Sequence, residues 1–140
     1  PTWYGMFLPS GEKTAAVDAM TLAWTGREAR SPCPRIEAVR SSCIEARVAP
    51  GSVHEIQADV LAGGDERLTL DWTVLAESSD RKIGGDPESV PPSWPDAVRA
   101  GAGGEATLIA PTTAGAYRLF LRVRDGAGSA AVANFPFMVE

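Results

Sequence analysis

Between Tyr117 and Arg124 the chain switches character at every residue. Tyr117, Leu119, Leu121 and Val123 alternate with Arg118, Phe120, Arg122 and Arg124. A period of two with one apolar and one charged side is the pattern of a β-strand buried on one face and wet on the other. Asp125-Gly126-Ala127-Gly128 reads as a turn, and Ala131, Ala133, Phe135 and Phe137 resume the alternation up to Val139. The expectation is a long antiparallel hairpin, which needs a second layer to cover its apolar side.

Shorter strand signals precede it. Arg35 to Val39 and Ile44 to Val48 are two, the second closed by the turn pair Pro50-Gly51. Val53 to Leu61 points Ile56, Ala58 and Val60 inward; Leu68 to Leu75 does the same with Leu68, Leu70, Trp72 and Val74. Ala106 to Ile109 stops at Pro111. Short strands between Gly/Pro turns, with no second helical period, predict a mainly β antiparallel sandwich. Residues 77–104 are rich in Gly, Pro, Ser and Asp and read as a long irregular loop holding at most one weak strand.

The first residues differ in kind. Residues 3–8 read as a strand, Pro9 to Glu12 as a turn, and Lys13 to Trp24 as a helix with Ala16, Val17, Met20, Ala23 and Trp24 on one face. Ser10 is the expected N-cap and Gly26 the expected stop. Residues 27–34, with two prolines, read as a linker. The expected domains are thus a strand–helix segment at 1–26, a linker at 27–34 and a sandwich at 35–140. A lone strand and helix cannot bury themselves and must dock on the sandwich or on a partner.

With 140 residues, 44% of them hydrophobic, the chain has material for one folded domain. A net charge of −5 argues against a nucleic-acid partner, and no apolar run reaches membrane-spanning length. The sequence begins at Pro1 and shows no charged region followed by an apolar leader, so a mature or excised product, secreted or periplasmic, is expected. The two cysteines, Cys33 and Cys43, fit either a short-loop disulfide or two unpaired thiols.

Leu68-Thr-Leu-Asp-Trp-Thr-Val-Leu75, the run from Thr107 to Tyr117 and the final hairpin resemble the PKD-like and Ig-like modules of bacterial surface and secreted proteins. The resemblance covers residues 35–140 and places Trp72 in the core and Tyr117 at the entry to the penultimate strand. Such modules often carry an acidic calcium turn before the Trp strand. Here that stretch is Ala62-Gly-Gly-Asp-Glu66, which leaves Asp59, Asp65, Glu66 and Asp125 as weak metal candidates and calcium as the one cofactor to consider. Residues 1–26, with Trp3-Tyr-Gly-Met-Phe-Leu8 and Trp24-Thr-Gly26, resemble the closing strand and helix of a TIM-barrel glycoside hydrolase. That resemblance implies an upstream catalytic domain in the same polypeptide.

Within this sequence no catalytic set is visible. Glycoside hydrolysis needs two carboxylates framing the bond, and no such local pair occurs. His54 sits at a strand start on the same alternation as Ile56 and reads as a packed or rim residue; no nucleotide or zinc-protease motif is present. Trp94, in Pro91-Pro-Ser-Trp-Pro95, reads either as a sugar-stacking platform or as a cap on the core. Arg118, Arg122 and Arg124 point outward where Asp71 on the neighbouring strand can pair with them. Phe120 among them requires a cover, for which the Lys13–Trp24 helix, through Met20 and Trp24, is the first candidate. The expected function is a non-catalytic C-terminal accessory domain that braces or spaces a glycoside hydrolase. A carbohydrate-binding module using Trp94 and the 77–104 loop, with polysaccharide as partner, and a cell-surface adhesion module are the alternatives.

Overall fold

The computed structural model describes residues 5–64, 67–78 and 89–140. Along the chain come α1 (Ala15–Thr25), β1 (Arg35–Ser41), β2 (Arg47–Val48), β3 (Val53–Leu61), β4 (Thr69–Ala76) and β5 (Ser93–Trp94). A 3₁₀ turn (Pro95–Ala97), β6 (Val98–Ala100), β7 (Glu105–Ile109), β8 (Gly115–Arg124) and β9 (Ala130–Val139) complete it. One sheet has the order β1-β3-β7-β6 and the other β2-β9-β8-β4-β5. This is the immunoglobulin-type distribution of strands between two layers, as expected. The short β2 runs parallel to β9 while the remaining pairs are antiparallel.

The terminal alternation becomes the heart of the core. Leu119, Leu121 and Val123 on β8 have no exposed surface, nor do Val74 and Leu108 opposite them. Each such side chain contributes about 1.5–3 kcal/mol through burial. Ile56, Ala58, Ala106 and Phe137 complete the inner faces. Trp72 is half-buried and packs against both groups of core residues, linking the two ends of the sandwich.

Three local expectations change. The strand at 44–48 shrinks to Arg47–Val48, because residues 42–46 are a turn held by Ala46 N–H to Cys43 O. The irregular stretch holds β5 and β6, which flank the core at the outer edges of the two sheets. The helix begins at Ala15 with Thr14 at its N-cap, and Ser10 does not cap it. Lys13 cannot be helical, since its N–H donates to Gly128 O and its C=O accepts from Ala130 N–H. Strand pairing with the β8–β9 turn thus sets the helix start. Gly26 ends α1 as expected, at φ 66°, with its N–H donating to Leu22 O.

Cys33 and Pro34, at the end of the expected linker, are buried. Here the segment presses on Gly63, where a Cβ would lie 1.8 Å from Pro32 O. Only glycine fits that approach.

Candidate functional site

The outer face of β8 carries the charged half of the alternation. Arg118 donates through Nε to Glu77 Oε2 and through Nη1 to Asn134 Oδ1, both at 2.6 Å. Arg124 donates through Nε to Glu12 Oε1 at 3.0 Å and through Nη1 to Asp71. The expected pairing of an outward arginine with Asp71 is therefore present, made by Arg124. The Ser10 hydroxyl first, with Arg124 also contributing, holds the Glu12 carboxyl below the usual range. Arg122, between these two, makes no hydrogen bond or ion pair with any described residue, although it is half-buried.

Phe120 is half-buried as well, flanked in register by Thr73 and Asn134. The expected cover is the Lys13–Trp24 helix, but no α1 residue lines the groove at Phe120. Leu8, Pro9 and Ser10 form one wall of a groove of about 580 Å³ whose other lining includes Leu75, Val90, Phe120, Arg122 and Val132. The turn reaches this place because residues 5–14 fold back on themselves, with Thr14 N–H to Met6 O and Leu8 N–H to Glu12 O, both 2.8 Å. Sequence alone offers no sign of this wall, since Glu12 and Arg124 stand 112 positions apart.

The helix packs only loosely on the described residues. No residue of α1 is buried; Met20 is half-buried, Leu22 is 49% exposed and Trp24 77% exposed. It is held by polar ties instead. Lys13 Nζ pairs with Asp18 and donates to Ser31 O at 2.7 Å, and Cys33 N–H donates to Asp18 Oδ2 at 2.6 Å. Burial alone would raise the Asp18 pKa, but the Lys13 and Cys33 donors outweigh it and leave the carboxyl below its ordinary value. Trp3 lies outside the described residues.

Trp94 pairs with Val74 through β5–β4 and sets its ring edge-on to Tyr117, centroids 5.0 Å apart at 82°. It packs on the core and is half-buried, with part of its surface lining a cavity of about 330 Å³ beside Asp96, Ile109 and Pro111. His54 bridges two serines: Ser42 Oγ lies 2.8 Å from Nδ1 and Ser52 Oγ 2.8 Å from Nε2. Ser52 already donates to Ala49 O, so the network assigns the ring proton to Nε2 and makes Nδ1 an acceptor.

Of the metal candidates, Asp65 and Glu66 lie outside the described residues. Asp59 pairs with Arg40. Asp125 is 5% exposed and spends Oδ1 on the N–H groups of Ala127 and Ser129, at 2.8 and 2.9 Å. Among the described residues no three His, Cys, Asp or Glu side chains converge as a metal site would require. Both cysteines are buried free thiols, and burial raises the pKa of each.

Fold and site define a mainly β, two-sheet sandwich module with an appended helix. None of the described helices is long and apolar enough to cross a membrane. No family model and no curated protein matches the sequence. Solved structures with some likeness include PcoC, a methionine-rich copper resistance protein from Escherichia coli. It is 17% identical, with a TM-score of 0.41 over 77% of this chain and 99% of that one. A DUF4784 family protein from Bacteroides caccae is 10% identical, with a TM-score of 0.38 over 74% of this chain and 24% of that one.

Proposed function

We propose that this chain is a non-catalytic accessory module of a secreted or periplasmic bacterial glycoside hydrolase, bracing the catalytic barrel that precedes it. The observation that carries this reading is α1. An 11-residue helix is marginal by itself and normally persists by burying its apolar stripe. This one buries no residue and leaves Leu22 and Trp24 in water. Residues 1–26 resemble the last strand and helix of a barrel, whose helices pack their apolar faces on the strands. The partner that fits the open face of α1 is therefore the rest of that barrel, and the sandwich is the buttress fixed behind it.

Two measurements test the reading. The coding sequence ahead of Pro1 should specify alternating strands and helices with acidic residues at strand ends; a signal peptide directly ahead of Pro1 overturns it. In the longer polypeptide, amides of residues 17–25 should exchange far more slowly than in the 140-residue chain. Equal exchange rates in both would remove the docked helix from the account.

A carbohydrate-binding role is the second reading, favoured by the part of Trp94 that lines the cavity at Asp96 and Pro111. Saturable binding to a polysaccharide, retained in Trp94→Phe and lost in Trp94→Ala, would support it. Silence across plant and microbial polysaccharides would leave the bracing role alone.

A further inference from the structure

We propose that the groove between the Leu8–Ser10 turn and the outer face of β8 is a binding site for a small monocarboxylate with an apolar body. Its volume, about 580 Å³, lies within the roughly 300–1,000 Å³ usual for ligand pockets. The walls are aliphatic and aromatic: Leu8, Pro9, Leu75, Val90, Phe120 and Val132. Sugar sites need many polar groups around an aromatic platform; here six of the ten described lining residues are apolar, so the body-binding part matches hydrocarbon better than a sugar ring.

Among the described lining residues the polar side chains are Ser10, whose hydroxyl donates to Glu12, and the donors Arg122, Arg124 and Asn134. Arg122 lines the groove with no hydrogen-bond or ion-pair partner among the described residues, while Arg118 and Arg124 on either side are each held by a carboxylate. Asp71 stands opposite Arg122 in the β4–β8 register, yet its carboxylate is engaged by Arg124. Asn134 also lines the groove and gives its Oδ1 to Arg118, which leaves its amide N–H groups as donors. Arg122 and Asn134 sit on adjacent strands two register positions apart, close enough for one carboxylate to meet both. A half-buried guanidinium that makes no ion pair with a described residue is a group a carboxylate satisfies well, because the bond is charge-assisted and shielded from water.

The experiment is a titration of the 140-residue chain with octanoate, followed by amide chemical shifts, with octanol and octylamine as matched probes. Octanoate should saturate, with shifts confined to residues 8–10, 120–122 and 132–134. Octanol and octylamine should bind about tenfold more weakly, the ratio a lost charge-assisted hydrogen bond produces. Arg122→Gln should abolish the preference for octanoate over octanol. Val90 is 87% exposed, so Val90→Glu should leave folding unchanged and weaken octanoate by placing a second anion at the rim. Absence of saturation, equal affinity for the three probes, or an Arg122→Gln variant that still prefers octanoate would each overturn the assignment.

Discussion

The hydroxyl of Tyr117 donates to the main-chain carbonyl of Thr113 at 2.8 Å, tying the start of β8 to the loop that feeds it. The same ring stacks on Phe137 at 5.6 Å and receives Trp94 edge-on. It is the tyrosine corner of immunoglobulin-type sandwiches, built here on Gly115-Ala116-Tyr117. Tyr117→Phe keeps both ring contacts and removes one hydrogen bond. Thr113 is exposed and can turn to water, so the loss should be about 1 kcal/mol in urea unfolding. A variant as stable as the parent would show that the corner is ornamental.

Trp94→Ala strips a ring from the core edge. Since Trp94 is half-buried, the cost should fall at or below the low end of the roughly 3–5 kcal/mol seen for Trp truncations. Trp94→Phe should recover much of it. If thermal melts of Trp94→Ala matched the parent, the ring would be idle in the core and free for a ligand.

Asp125 makes the β8–β9 turn sensitive to acid. Burial would raise its pKa, but the N–H donors of Ser129 and Ala127 outweigh burial and hold the carboxyl below its ordinary 3.8. A group whose folded pKa is depressed adds stability that is complete above the unfolded value and fades as pH falls through the folded one. Stability should therefore decline below about pH 4 more steeply in the parent than in Asp125→Asn. Parallel pH profiles of the midpoint denaturant concentration would refute this.

Asp18→Ala should release α1 without unfolding the sandwich, because Asp18 ties the helix to Lys13 and to the Cys33 amide and no helix residue is buried. Hydrogen exchange over residues 15–25 should rise sharply while the cooperative unfolding of β3, β4, β8 and β9 shifts by no more than about 1 kcal/mol. A global loss of cooperativity would mean that the helix supports the core.

Both thiols should resist a disulfide-exchange reagent in the native protein. Cys33 and Cys43 are 3% and 0% exposed and their pKa values are raised by burial, so little thiolate is available or accessible. Two equivalents should react once denaturant unfolds the chain. Rapid native labelling of either would contradict the packing described.

The parts of this fold written in local pattern were legible. β8 alternates along its length, and its inward positions Tyr117, Leu119, Leu121 and Val123 are all buried. Of the inward positions read on β3, β4 and β9, only Ile56, Ala58, Val74 and Phe137 are buried and the others are half-buried. β5 and β6 were not legible, because two or three residues between prolines and glycines carry no period. The helix start was misplaced by two residues' worth of tertiary pairing at Lys13, which Ser10 and its neighbours do not reveal. At the β8 face the arginines and Phe120 stood out in the sequence, whereas the wall at Leu8–Ser10 depends on a fold-back that only three-dimensional contacts define.

Lys13 is stitched by backbone hydrogen bonds into the β8–β9 turn, while Cys33 and Pro34, which lead into β1, are buried. The stretch from Lys13 to Cys33, which includes α1 and most of residues 27–34, is thus pinned at both of its ends. The orientation of anything carried by the 5–14 fold-back is set by sheet geometry. Lengthening the 27–34 segment with glycine and serine would leave that angle as it is, whereas a proline at position 13, which removes the N–H to Gly128, would let it swing.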